Sequence, residues 1–358
     1  MTPQDRAALW ERLNAAGLVS GELPVADAQR TPWYVRVMLG IAGWIGALFL
    51  FGFVGVGFAL VMKSSAAALV VGAAVCGGAA VLLRAGPAND FLSQLGLAVS
   101  LAGQTLMAYG LGDLFGFSRV TLPLVLAVQQ AVLFWLVPNF IHRVWAAWTG
   151  AFAITYAMAT LGFPALAPAV VSAAFVVVWL REFDLDRRGA LLRAGGYGLA
   201  LATLQTCIMF GPLWVLWADG ANAANSVGAG VRGWIGALAA GAVLVAAALM
   251  LLWREGLALS SPQGRVALVG AVMLALVSLK AAALGPAVAV LVVGYANGNR
   301  VLAGLGLLSL IGYLSHYYYA MQVTLLEKSV LLAAAGVALL VLRFALRQWW
   351  PARREEHA

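Results

Sequence analysis

Long uncharged apolar runs, separated by short stretches that carry most of the arginines, set the rhythm of this chain. The runs fall at about 36–62, 65–83, 91–112, 120–137, 144–161, 163–180, 194–217, 233–253, 266–283, 286–298, 301–319 and 329–348. Most approach the length of about 20 residues that a helix needs to cross about 30 Å of hydrocarbon. The pattern predicts an all-α fold, a polytopic transmembrane helix bundle of about twelve spans. Residues 36–348 are read as the membrane domain, between a segment over 1–35 and a tail over 349–358. In the opening segment Leu9, Trp10, Leu13 and Ala16 recur at helical spacing, and Gly17 can end the helix in a left-handed cap. A short amphipathic helix is expected there. Residues 266–298 read as a tight hairpin folded at Gly285-Pro286, with a short second arm. One long helix would flip everything downstream.

Composition sharpens the class. Of 358 residues 63% are apolar and only 10% are charged, against about 25% charged residues in soluble domains. Thirty-six charged side chains cannot solvate the surface of a chain this long. A soluble domain, a nucleic-acid-binding domain and a disordered chain are excluded, and the mean hydropathy of +0.93 agrees. An outer-membrane barrel would alternate polar and apolar residues along strands of about ten residues, which these runs do not. The lipid bilayer is therefore the first partner.

The net charge of +8 comes from scattered residues and not from a patch, so it reads as topology. With the N-terminus in the cytoplasm, seventeen Lys and Arg fall inside, among them Arg84, Arg143, Arg181, Arg254 and Arg300. Four fall outside: Lys63, Arg119, Arg232 and Lys328. That bias puts both termini in the cytoplasm. The first run is too long and too far from the start for the apolar part of a signal peptide. Tryptophans near the run ends, Trp135, Trp179, Trp234 and Trp253 among them, read as an interfacial belt. The many in-run glycines read as close helix packing. The hexapeptide GWIGAL at Gly43–Leu48 and Gly233–Leu238 sits at different depths and is no repeat.

Few residues carry chemistry. Lys280 lies about 14 residues into its run, where a charge is costly, so it either faces a functional pocket or snorkels along its stem to the outer surface. His316, Tyr317 and Tyr318 fall near the outer end of the eleventh run, and Glu327 opens the twelfth. Together these five form a candidate ligand-binding set near the outer leaflet, able to hold a polar headgroup or relay a proton; otherwise they are interfacial aromatics with flanking charges. Gln104, Thr105, Gln129, Gln130 and Gln205 lie mid-run and either bridge helices or line a polar cavity. Cys76 and Cys207 read as buried small hydrophobes. No P-loop, HExxH or GxSxG motif occurs, and no Cys/His cluster suggests a metal. No catalytic residue and no cofactor is expected.

Two strings resemble the ends of a bacterial inner-membrane family, domain of unknown function 4401. They are PWYVRVMLGIAGWIGALFLFGFVG at Pro32–Gly55 and YYYAMQVTLLEKSVLLAAAGVALLVLR at Tyr317–Arg343. The opening LWERLNAAGLVSGELP, Leu9–Pro24, is similar to the family's short first helix. The resemblance implies a bacterial inner membrane and a partner, because family members are often encoded beside a second polytopic membrane protein named for a GDYxxLxY motif. It implies no activity. The expected role is a non-enzymatic component of a membrane complex. The alternatives are a transporter or channel-like protein for a small or lipid-like solute, and an intramembrane enzyme acting on envelope lipid or glycan.

Overall fold

The computed structural model describes residues 3–17, 19–21, 65–85, 90–116, 118–181, 189–209, 227–279 and 284–320, with isolated positions at 34–64 and 326–340. Among the described residues every regular element is helical. In chain order they are α1 (Pro3–Ala15), α2 (Ser65–Ala85), α3 (Asp90–Phe115), α4 (Thr121–Leu136) and α5 (Phe140–Thr160). A 3₁₀ turn (Pro164–Leu166) leads into α6 (Ala167–Leu180), followed by α7 (Gly189–Met209) and α8 (Val227–Arg254). The last three are α9 (Pro262–Ser278), α10 (Leu284–Ala296) and α11 (Arg300–Ala320).

The count of twelve spans is not supported. Three described helices are long and apolar enough to cross a membrane: Ser65–Arg84, Leu92–Phe115 and Trp234–Arg254. Several other runs are interrupted. The run at 163–180 spends its start on the Pro164–Leu166 turn and leaves α6 with 14 residues, and α10 has 13. Hydropathy alone does not separate a full span from a shorter apolar helix with a turn attached. Most of the first and last predicted runs lies outside the described residues.

Helix α1 ends as expected, with Gly17 at φ 69° after the Ala16 and Gly17 amides bond back to Arg12 and Asn14. Trp10 and Leu13 are half-buried and Leu9 is exposed, so its apolar stripe is only partly covered. Residues 266–298 do form two separate helices, α9 and α10, but Gly285 and Pro286 lie within the first turn of α10 and not at a bend between them; a Cβ on Gly285 would lie 3.2 Å from Ser278 Oγ. Pro286 sits in the first turn of α10, where no helical amide bond is lost.

The helices meet along seams of small residues. On α3, Gly96, Gly103 and Gly110 recur every seven residues, the period of a left-handed supercoil, and face α2. A Cβ on Gly103 would come within 2.7 Å of Cys76 Sγ and 2.8 Å of the Gly72 carbonyl oxygen. Only glycine lets the two backbones approach that closely. The central core gathers Phe175, Trp179, Leu244, Val290, Val293 and Leu302 from α6, α8, α10 and α11.

Basic residues collect at one end of the bundle. The Arg84 guanidinium donates to the Leu136 carbonyl at 2.7 Å, and Arg143 Nε to that of Phe134 at 3.1 Å. These are last-turn carbonyls of α4, where orphan acceptors and the helix dipole favour a cation. At the same end Arg254 donates to Asn297 and to the Ala296 carbonyl, and Asn297 to that of Trp179. Tyr197 and Asn299 share hydrogen bonds, and Phe140 packs edge-on against Tyr197. The ends of α2, α4, α6, α8 and α10 therefore lie beside the starts of α5, α7 and α11.

One expected belt residue is not at the surface. Trp179 is 2% exposed and stacks edge-on against Tyr197, because Gly196 gives its ring room. Trp135, Trp234 and Trp253 are exposed as the belt reading requires.

Candidate functional site: a buried polar cluster and an apolar cavity

The strongest concentration of buried polar groups lies where α3, α4 and α5 meet. Ser100 and Gln104 stand one turn apart on α3, Gln129 and Gln130 on α4, and His142 in the first turn of α5. Local sequence places His142. Pro138 forces Val137 into extended backbone at φ −101° and ψ 107°, which ends α4. Asn139 then caps α5, its side-chain oxygen accepting from the His142 amide at 3.0 Å. His142 starts an inward face that continues through Ala146, Gly150, Ala153 and Ala157, and its side chain is fully buried.

The hydrogen bonds converge. Gln104 Nε2 donates to Ser100 Oγ at 3.1 Å and lies 3.3 Å from His142 Nε2. Ser100 Oγ is 2.9 Å from the same ring nitrogen. The amide can only donate, and so the serine hydroxyl is free to donate to Nε2. Both contacts then assign the Nδ1–H tautomer to His142. Gln130 Nε2 donates to Gln104 Oε1 at 2.9 Å, and Gln129 Nε2 to the Gln104 main-chain carbonyl at 3.0 Å. Cys76 Sγ sits 3.6 Å from the Ser100 carbonyl and donates to it. Three atoms are left over: His142 Nδ1, Gln129 Oε1 and Gln130 Oε1 have no hydrogen-bond partner among the described residues.

Chemically the cluster is a neutral relay of amides, a hydroxyl and an imidazole. Ser100 and His142 have the spacing of a nucleophile and its base, but no carboxylate orients Nδ1 and Ser100 is sealed at 1% exposure. Its evident work is to tie three helices together.

Beside the cluster an apolar cavity of about 580 Å³ lies between α2, α3 and α4. Ala73, Cys76, Gly77 and Ala80 form one wall, Met107, Leu111 and Phe115 the floor, and Leu124 to Val137 the other wall, where Gln129 is the single amide.

The expected outer-leaflet set is mostly beyond reach. Lys280 lies outside the described residues; His316 and Tyr317 lie on α11, their side chains outside the described ones. Tyr318 is half-buried near the end of α11, and Glu327 is exposed; both carry interactions. Among the described residues no group of three His, Cys, Asp or Glu could hold a metal.

Of the mid-run amides, Gln104, Gln129 and Gln130 were legible as helix bridges, and they bridge. Gln205 does the same, accepting from Trp148 Nε1. Thr105 instead is exposed and donates to its own helix at Leu101. Ser100 and His142 were missed. The signal for His142 was the small-residue face it begins, and for Ser100 its place between Gly96, Gly103 and Gln104.

The fold and this cluster define the class: an all-helical protein of apolar, small-residue-packed helices whose polar interior is shared among helices. The chain belongs to the family described as domain of unknown function 4401, whose model matches residues 32–349. No curated protein and no solved structure matches the chain.

Proposed function

We propose that this is a multi-pass protein of the bacterial inner membrane, with both termini in the cytoplasm, acting as a non-enzymatic component of a complex with a second polytopic membrane protein. The observation that carries it is the exterior of α9. Only Gly264, Ala271 and Ser278 of this helix are buried, a one-sided seam with a seven-residue period. Val266, Val269, Val272, Met273, Leu276 and Val277 are all exposed. A helix that is apolar all round and attached along one seam belongs in hydrocarbon or against another apolar helix. Leu307, Leu308, Ile311 and Leu314 on α11 repeat the pattern. The gathering of Arg84, Arg143 and Arg254 at one end supports the cytoplasmic assignment of that end.

The test is site-specific photocrosslinking from Met273 and Leu308 in cells that co-express the GDYxxLxY-motif neighbour. A defined adduct with that protein is expected from at least one position. Adducts with lipid alone, from both positions, contradict the partner.

The transporter reading keeps one specific support. Gly294 packs on Ala303 and Gly306 on Leu291, an antiparallel register of α10 on α11 that brings Leu284 level with Tyr313. The final turn of α11, with His316, Tyr317 and Tyr318, thus belongs to the end of the bundle where α9 finishes. On that reading Lys280→Met and Glu327→Gln each abolish solute movement in reconstituted vesicles, and unchanged flux removes the site.

A further inference from the structure

The cavity between α2, α3 and α4 is open along one side, since Leu124, Val128, Val132 and Leu136 line it and are all exposed. It is a trough of about 580 Å³ on the outside of the bundle. Its α4 wall, from Leu124 to Leu136, runs about 18 Å at 1.5 Å per residue. On α2, Ala73, Gly77 and Ala80 leave space where larger side chains would close it, and a Cβ on Gly77 would meet nothing within 4 Å. Apolar walls alone choose no occupant. The charge at one end does.

Arg84 stands one turn after Ala80, on the same face of α2. Its Nη2 donates at 2.7 Å to the carbonyl of Leu136, itself a wall residue. That bond holds the guanidinium at the mouth of the trough, where α2 and α4 both end. The side chain is exposed, and one of its five N–H donors is used. Among the described residues it forms no ion pair; the pair at this end is Arg254 with Glu255. Arg143 adds a second positive charge at the end of α4, also with only a main-chain carbonyl as partner among the described residues. Trp135, 58% exposed beside Leu136, marks the level of the headgroups. A long apolar trough whose mouth carries an unneutralised guanidinium fits a hydrocarbon chain joined to an anion, and the planar donor fork suits a phosphate. Excess positive charge favours a headgroup that brings no ammonium of its own.

We infer that this trough binds an anionic phospholipid, one acyl chain lying along Ala73, Gly77 and Ala80 and the phosphate on the Arg84 guanidinium. The inference rests on the membrane reading of the chain and not on the partner protein.

The test uses the full chain, extracted from the membrane fraction in detergent and titrated with dioleoylphosphatidylglycerol or dioleoylphosphatidylcholine, with binding read by native mass spectrometry. The two lipids share chains and phosphate and differ in net charge, so the comparison does not depend on any variant folding. One phosphatidylglycerol per chain is expected, with phosphatidylcholine about tenfold weaker. Arg84→Gln should close that gap, and Gly77→Phe should remove the one-to-one complex with either lipid. Arg265→Gln, which removes an exposed charge from α9 away from the trough, should leave both affinities unchanged. Equal affinity for the two lipids overturns the assignment. So does undiminished binding to Arg84→Gln or to Gly77→Phe, an Arg265→Gln loss as large as that of Arg84→Gln, or displacement of the lipid by an equal concentration of inorganic phosphate. Recovery of the chain only in the soluble fraction would overturn the membrane reading and this site with it, whereas the binding results bear on the site alone.

Discussion

Helices α3, α4 and α5 are held by named polar bonds made by side chains in mid-helix, whereas α9 sits against its neighbours along a seam of small residues. In the first region Gln104 sits at the centre of contacts reaching Ser100, His142, Gln129 and Gln130. Arg84 and Arg143 then fasten the end of α4 from two neighbouring helices. In the second region Ser278 donates only to Leu274 of its own helix, and the seam is otherwise glycine and alanine. Apolar burial drives little association in hydrocarbon, and two solutions remain: interhelical hydrogen bonds, and close backbone packing. This protein uses one on each side. The bonded side has a fixed geometry beside a cavity, and the seam-held side keeps a broad apolar exterior available to lipid or a partner.

Substitutions should separate the two regions in a fixed order of effect. The largest is expected from Gly103→Leu, whose side chain must displace Cys76 and the Gly72 carbonyl. Overpacking of this kind costs about 3 kcal/mol, and thermal denaturation in detergent should show little folded protein. Next is Gln104→Leu, which strands the Gln130 amide and removes the donor to Ser100. A loss of about 1–3 kcal/mol is expected for buried groups left unmet, read by SDS-induced unfolding. Arg84→Ala removes an exposed cap from the end of α4 and should cost about 0.5 kcal/mol. Ser278→Ala, on the seam-held side, should fall within about 0.5 kcal/mol of the parent. If Ser278→Ala proves as damaging as Gln104→Leu, the contrast between the two sides is gone.

Much of this was legible from residue order, for reasons that differ by element. The division of 266–298 into two helices could be read because proline near the start of a helix, after glycine, is strong punctuation, although Gly285 and Pro286 fall inside α10. Gly17 was readable as a helix end on the same grounds. The shared end of Arg84, Arg143 and Arg254 followed from charge position alone. Span length was not legible, since the run at 163–180 hides a 3₁₀ turn behind uniform hydropathy. Trp179 was misplaced because its burial depends on Gly196, a neighbour in space and not in its own helix. The cluster was half legible. Gln104, Gln129 and Gln130 stand out as amides in apolar runs, but His142, beside Arg143 at a run edge, is not singled out by the sequence pattern. Only the three-residue cap from Asn139 turns it inward.

The central claim is that the helices cross a bilayer with their basic end in the cytoplasm. The most direct measurement places single cysteines at Glu255, exposed beside Arg254, and at Ser118, exposed in the turn between α3 and α4 at the opposite end. Cys76 and Cys207 are replaced by alanine first, and intact cells are treated with a membrane-impermeant maleimide. The account predicts that Ser118→Cys labels in intact cells, while Glu255→Cys labels only after the membrane is opened. Labelling of both positions in intact cells, or of Glu255→Cys alone, would contradict it.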